Sequence, residues 1–93
     1  MIQGHKRMNS TDTFKKIEEL TYEIIYGYHT KKSALPYISK LSFLEGSLPD
    51  ASCRNIFNDL VGYAKEASGQ GRHKEHWINC TEERLCQLKW RLT

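Results

Sequence analysis

Apolar side chains recur at intervals of three and four residues over most of this chain. Such spacing places them on one face of an α-helix, whereas a half-buried strand would alternate every second residue. The hydroxyl or carboxylate of Ser10, Thr11 or Asp12 can cap the first backbone N–H groups of a helix that follows. The clearest apolar run begins just after these residues and comprises Phe14, Ile17, Leu20, Ile24, Ile25 and Tyr28.

Two more helices are predicted in the middle of the chain. In "SALPYISKLSFLEG", residues 33–46, Pro36 suits a first helical turn and Gly46 suits a C-cap. In "SLPDASCRNIFNDLVGYAKEAS", residues 47–68, Ser47 can cap, Pro49 fits the first turn and Asp50 opposes the positive end of the helix dipole. The apolar stripe of this third helix consists of Cys53, Ile56, Phe57, Leu60, Val61 and Ala64.

Glycines and polar residues interrupt the apolar period in "SGQGRHKEH", residues 68–76, which predicts a loop. A last helix follows, with Asn79 or Thr81 as cap and Leu85, Leu88 and Leu92 on its inner face. A small β-hairpin near residues 68–80 stays open as an alternative. The fold expected is a mainly α, small single-domain bundle of about four short helices over residues 10–93, preceded by a flexible N-terminal tail, residues 1–9.

Composition limits the class of protein. At 93 residues the chain can form one small core, and no apolar run approaches the roughly 20 residues that cross a bilayer. The N-terminus lacks the apolar stretch of a secretory signal, and three cysteines are too few for a disulfide framework. We therefore expect free thiols and a cytoplasmic location.

The formal net charge of +3 is mildly basic, and the excess lies at the two ends of the chain. Residues 1–32 carry six Lys/Arg against four Asp/Glu, and residues 69–93 carry five against three. The middle segment, residues 33–68, carries three against four. The ends would form one positive patch if they met in space.

No catalytic signature is strong enough to name a reaction, so we expect a protein that is not an enzyme and has no cofactor. His73, His76, Cys80 and Cys86 are good zinc ligands by type, but all four are crowded into one short segment. Structural zinc sites usually join two short ligand pairs across a longer loop, so two loop histidines and two semi-buried thiols are the preferred interpretation. A zinc-stapled domain of unknown activity remains an alternative.

Basic and aromatic residues near the C-terminus favour contact with a partner, either protein or nucleic acid. Their cations can neutralise phosphates while an indole stacks on an unpaired base. Replacing Arg72 and Lys74 together by glutamate is expected to weaken such contact without lowering the melting temperature. A helix-turn-helix over residues 37–57 fits badly because Asp50 would face the DNA, although a small DNA-binding regulator remains an alternative. The predicted partner-binding residues are Tyr26, Lys31, Lys32, Arg72, Lys74, Trp77, Lys89, Trp90 and Arg91.

From "MNSTDTFKKIEELTYEIIYGYHTKKSALPYISK" to "ERLCQLKWRLT", residues 8–93, the chain resembles the small accessory proteins of bacteriophages. In particular it is similar to anti-CRISPR inhibitors of type I-F surveillance complexes, which share no common motif, so no residue role transfers. The resemblance implies a noncatalytic protein that binds a host assembly of Cas proteins and guide RNA. Such a protein would block capture of target DNA or recruitment of the nuclease.

Overall fold

The computed structural model describes residues 10–27, 30–69 and 71–93, with Lys31 described by its backbone alone. Over these residues the chain forms a bundle of four α-helices, which confirms the predicted fold class. The helices are α1 (Ser10–Tyr26), α2 (Lys31–Ser42), α3 (Ala51–Ala67) and α4 (Lys74–Leu92), with a 3₁₀ segment at Phe43–Ser47. None of the described helices is long and apolar enough to cross a membrane. The predicted tail, residues 1–9, lies outside the described residues.

Helices α3 and α4 form the most extensive helix pair in the bundle. They run antiparallel, since Ala67 at the end of α3 contacts Lys74 at the start of α4 and Asp59 pairs with Arg84 further along. Each buried leucine on this interface contributes about 1.5–3 kcal/mol by leaving water. The residues that these two helices contribute to the core are Cys53, Phe57, Leu60, Ala64 and Ala67 of α3 and Thr81, Leu85, Leu88 and Leu92 of α4.

Helix α1 packs against all three other helices and closes the core. Its predicted apolar stripe is largely confirmed, because Phe14, Ile17, Ile24 and Ile25 are buried and Leu20 is half-buried. Tyr28, the last member of that stripe, lies outside the described residues. Helix α2 adds a shorter buried face made of Ala34, Ile38 and Leu41.

The start of α4 differs from the prediction. The helix begins at Lys74 after His73, rather than near Asn79 or Thr81, and no strand forms among the described residues of the 68–80 segment. Trp77 and Ile78 pack against the core, which gives the added turns an apolar face of their own. The hairpin alternative is therefore not adopted.

Capping also shifts the starts of α2 and α3. Thr30 and Ser33 form a reciprocal capping box at α2, so Pro36 lies inside that helix rather than in its first turn. Gly46 lies within the 3₁₀ segment rather than at a C-cap. At α3 the N-cap is Asp50, whose carboxylate accepts a 2.8 Å hydrogen bond from the Cys53 backbone N–H.

Asp50→Ala is expected to lower the melting temperature at neutral pH, because the first turn of α3 loses its side-chain acceptor. The hydrogen bonds from Cys53 lower the pKa of Asp50, so its stabilising effect is present above the ordinary aspartate pKa. That effect is lost as the pH falls through the lowered pKa. Thermal unfolding followed by circular dichroism against pH should therefore show the gap between wild type and Asp50→Ala closing in acid.

Asp50→Asn is the matched control, since an amide oxygen caps a helix nearly as well but does not titrate in this range. Its melting temperature at neutral pH should stay near that of the wild type. If Asp50→Asn and Asp50→Ala lowered the melting temperature equally, the capping role of Asp50 would be contradicted.

Candidate partner-binding surface

The predicted partner-binding residues separate into two groups at opposite ends of α4. Tyr26 lines a surface pocket with Glu75, Ile78 and Asn79 near the start of α4, and α2 begins shortly after Tyr26. From Lys74 to Trp90, α4 rises by about 24 Å. The predicted partner-binding residues therefore do not make one patch. The first group contains Tyr26, Lys31, Lys32, Arg72, Lys74 and Trp77, and the second contains Lys89, Trp90 and Arg91.

Lys74 has a structural role in the first group. Its ammonium donates hydrogen bonds to the carbonyl oxygens of Ala67 and, at 3.1 Å, of Gly69. Carbonyls at a helix C-terminus lack intrahelical donors and carry the negative end of the dipole, so a cation there stabilises the end of α3. Arg72 is exposed, and Lys32 is also exposed in the first turn of α2. The side chain of Lys31 lies outside the described residues.

The two tryptophans occupy opposite faces of α4. The Trp77 ring stacks on Tyr63 of α3 with centroids 5.7 Å apart and an interplanar angle of 26°, and it packs against the core. Trp90, in contrast, is 83% exposed. Trp77 is thus part of the α3–α4 interface, and Trp90 is the indole that is available to a partner.

Trp90 lies in the last turn of α4, flanked in sequence by the exposed Lys89 and Arg91. Phe43, which is 90% exposed, lies at the same end of the bundle. The 3₁₀ segment leads from Phe43 to the start of α3, where Asp50 is close enough to Arg91 to interact electrostatically. Phe43 was missed by the sequence reasoning, although its position between Leu41 and Leu44 takes it off the apolar spacing of that segment.

Tyr26 is fixed against α4. Its hydroxyl donates a 2.6 Å hydrogen bond to Oε2 of Glu82, and its ring lies 5.9 Å from that of Tyr22. The hydrogen bond to Glu82 raises the pKa of Tyr26 to about 12, because a neighbouring carboxylate favours the neutral phenol. The contact between Glu82 and Tyr26 could not be predicted from the sequence, since only the packing of α1 on α4 brings the two residues together.

The residues considered for zinc do not converge. His76 Nε2 lies 3.7 Å from Cys80 Sγ, one turn apart on α4, while Cys86 is exposed further along the helix. Among the described residues no three His, Cys, Asp or Glu side chains come together in a way that could hold a metal ion. Cys53 is buried. This burial and, as a smaller cause, the nearby Asp50 raise the pKa of its thiol.

No family model, curated protein or solved structure matches this chain. The functional argument therefore depends on the geometry of the two ends of α4 and of the α1–α4 contact.

Lys74→Met is expected to destabilise the fold by about 1–2 kcal/mol, because methionine keeps much of the aliphatic stem but removes the donor to the end of α3. Chemical denaturation would measure the loss. Arg72→Met, which changes an exposed loop cation, should lower the free energy of unfolding by much less. The paired substitution of Arg72 and Lys74 by glutamate is accordingly expected to lower the melting temperature, so the loop charge is better tested with Arg72→Glu alone.

Glu82→Gln is expected to move the pKa of Tyr26 from about 12 back toward the ordinary 10.0. Glutamine can still accept the hydrogen bond but does not carry the charge that disfavours the phenolate. The ultraviolet absorbance of phenolate, followed against pH and compared with Tyr26→Phe, isolates this tyrosine. Since the raised pKa stabilises the fold below 10.0, that contribution should disappear as the pH rises through about 12. An unchanged titration in Glu82→Gln would contradict the contact.

Proposed function

We propose that this protein is a noncatalytic binding module that attaches to a nucleoprotein complex through the last turn of α4 and obstructs that complex. The observation that carries the proposal is the 83% exposure of Trp90 between Lys89 and Arg91. Tryptophan and arginine are the residue types most enriched among the energetic anchors of interfaces. An exposed indole beside cations suits both an unpaired base with its phosphates and a protein pocket with an acidic rim.

The contrast between the two tryptophans supports this assignment. A small core uses large aromatic side chains for packing, and Trp77 is used in that way against Tyr63. Trp90 contributes little to burial, and its position in the final turn leaves the indole accessible from solvent. Phe43, in the 3₁₀ segment, is a second large apolar side chain that is exposed.

Two cations at the other end of α4, Lys32 and Arg72, would make a secondary contact by attracting phosphates over a distance. Because about 24 Å separates the two ends of α4, a partner must be large to reach both. A nucleoprotein assembly meets this requirement more readily than a short oligonucleotide.

The partner that we propose is a type I CRISPR surveillance complex in the bacterial cytoplasm, which is what the resemblance to type I-F inhibitors implies. Binding would block capture of target DNA or recruitment of the nuclease. The DNA-binding regulator is the weaker alternative, since Asp50 caps α3 and would place its carboxylate next to a DNA backbone.

Comigration on size-exclusion chromatography with a purified type I-F complex, containing Cas proteins and guide RNA, tests the proposal. The wild type should elute with the complex, and Trp90→Ala should bind about thirtyfold more weakly, as for an interface anchor worth about 2 kcal/mol. Lys89→Glu and Arg91→Glu should each weaken binding and reduce its salt dependence.

Lys16→Glu is the control, because it makes the same change of charge at an exposed position of α1. It should bind as the wild type does, and all variants should keep the wild-type melting temperature. Failure to comigrate with the complex, or equal binding by Trp90→Ala, would overturn the proposal. Tight binding to free duplex DNA instead would favour the regulator.

A further inference from the structure

A shallow groove runs between α1 and α4, and at Cys86 and Lys89 it adjoins the pocket beside Trp90. One wall is formed by residues of α1 that recur every four positions, which are Phe14, Glu18 and Tyr22. Glu82, Leu85, Cys86 and Lys89 of α4 form the other wall. Phe14 and Leu85 are each only 4% exposed, so the groove has an apolar floor that belongs to the core.

Tyr22 lines the groove, and Tyr26 adjoins it through its hydrogen bond to Glu82. Both rings are exposed to solvent. Tyr22 is 40% exposed and Tyr26 is 55% exposed, with ring centroids 5.9 Å apart. The hydrogen bond from the Tyr26 hydroxyl to Glu82 holds that ring in place. A partner would therefore lose little conformational entropy in ordering the two rings, which is the property that makes tyrosine frequent in recognition surfaces.

Carboxylates lie on both sides of Tyr22. Burial, and after it the negative charges of Glu18 and Glu82, raise the pKa of Tyr22. Glu82 uses one oxygen for Tyr26, and a carboxylate has further acceptor sites. Both carboxylates belong to half-buried residues, where a charge interaction is screened less than at a fully exposed site.

We propose that the α1–α4 groove, defined by Phe14, Glu18, Tyr22, Glu82 and Leu85, docks an arginine-bearing segment of a protein partner. A guanidinium is planar and stacks on the face of a tyrosine while its N–H groups bond a carboxylate in pairs. The side chains of the groove offer both features within one turn of each helix. The apolar floor accepts the aliphatic stem of arginine or a neighbouring apolar residue.

Charge decides between a protein segment and nucleic acid as the occupant. Glu18 and Glu82 would repel phosphates, and Lys89, the cation of the groove, lies at the end toward Trp90. Cationic side chains, by contrast, are attracted by both carboxylates. The groove meets the last turn of α4 at Lys89, but its carboxylates and its tyrosine are not part of that turn, so this proposal does not depend on the function proposed for Trp90.

The test uses the full chain and a fluorescently labelled short peptide with arginine and leucine at helical spacing. Fluorescence anisotropy should show saturable binding to the wild type. A peptide with lysine in place of arginine should bind more weakly, because an ammonium cannot pair and stack in the same way. Amide chemical shifts should change along the groove walls in α1 and α4.

Glu18→Gln and Glu82→Gln should each weaken binding of the arginine peptide about tenfold, as expected for losing one charge-assisted pairing. Glu19→Gln is the matched control, since it removes the same charge from the neighbouring, more exposed position of α1. Trp90→Ala should bind the peptide as the wild type does, which separates this result from the test of the last turn of α4.

Equal binding of the arginine and lysine peptides would overturn the proposal. It would also be overturned if Glu19→Gln were as damaging as Glu18→Gln, or if the chemical shift changes lay outside the groove. Displacement of the peptide by a short single-stranded oligonucleotide at matched ionic strength would assign the groove to nucleic acid instead. Melting temperatures of all variants, measured alongside, identify any loss that comes from unfolding.

Discussion

The packing of α3 against α4 is the contact on which the rest of the structure depends. Its buried leucines and Phe57 supply much of the core, and the Lys74 ammonium joins the two helix ends at the connection between them. On the outer side of the same interface the Arg84 guanidinium lies 5.6 Å from the Tyr63 ring and 3.4 Å from Asp59. Because exposed ion pairs contribute little, the apolar contact must provide most of the stability. The position of α4 then sets both proposed surfaces, since each uses residues of this helix.

The apolar spacing was enough to predict the four helices and most of their buried faces. In α2 it was wrong for Leu35, which is 53% exposed, while Ala34 is buried. It also placed Trp90 off the inner line of the last helix, and the structure has this residue exposed. It failed at the start of α4, because polar residues such as Lys74 and His76 hide the two apolar positions, Trp77 and Ile78, that pack against the core. The polar composition of residues 68–76, which predicts a loop, therefore conceals the first turn of α4.

The role of an individual polar side chain was harder to foresee. Lys74 and Arg72 are equivalent cations in the sequence, yet one is bonded to the end of α3 and the other is exposed. Likewise Glu82 acquires its importance from Tyr26, which is distant in sequence and comes near only when α1 packs on α4. Tertiary contacts of this kind have no periodic signal, so composition and spacing cannot separate a structural charge from one that is free to bind.

Pro36 sets α2 apart from the other three helices, because a proline inside a helix interrupts its backbone hydrogen bonds. With no backbone N–H, this residue leaves the carbonyl of Lys32 without its intrahelical donor, and it does so in the shortest of the four helices. The first turns of α2 are consequently held by fewer backbone hydrogen bonds than an uninterrupted helix would have. Local opening of the bundle is expected to begin there, so that amide protons of α2 exchange with solvent sooner than those of α3 and α4. The helix that opens most readily thus lies outside the α1–α4 groove, so the groove can keep its shape while α2 fluctuates.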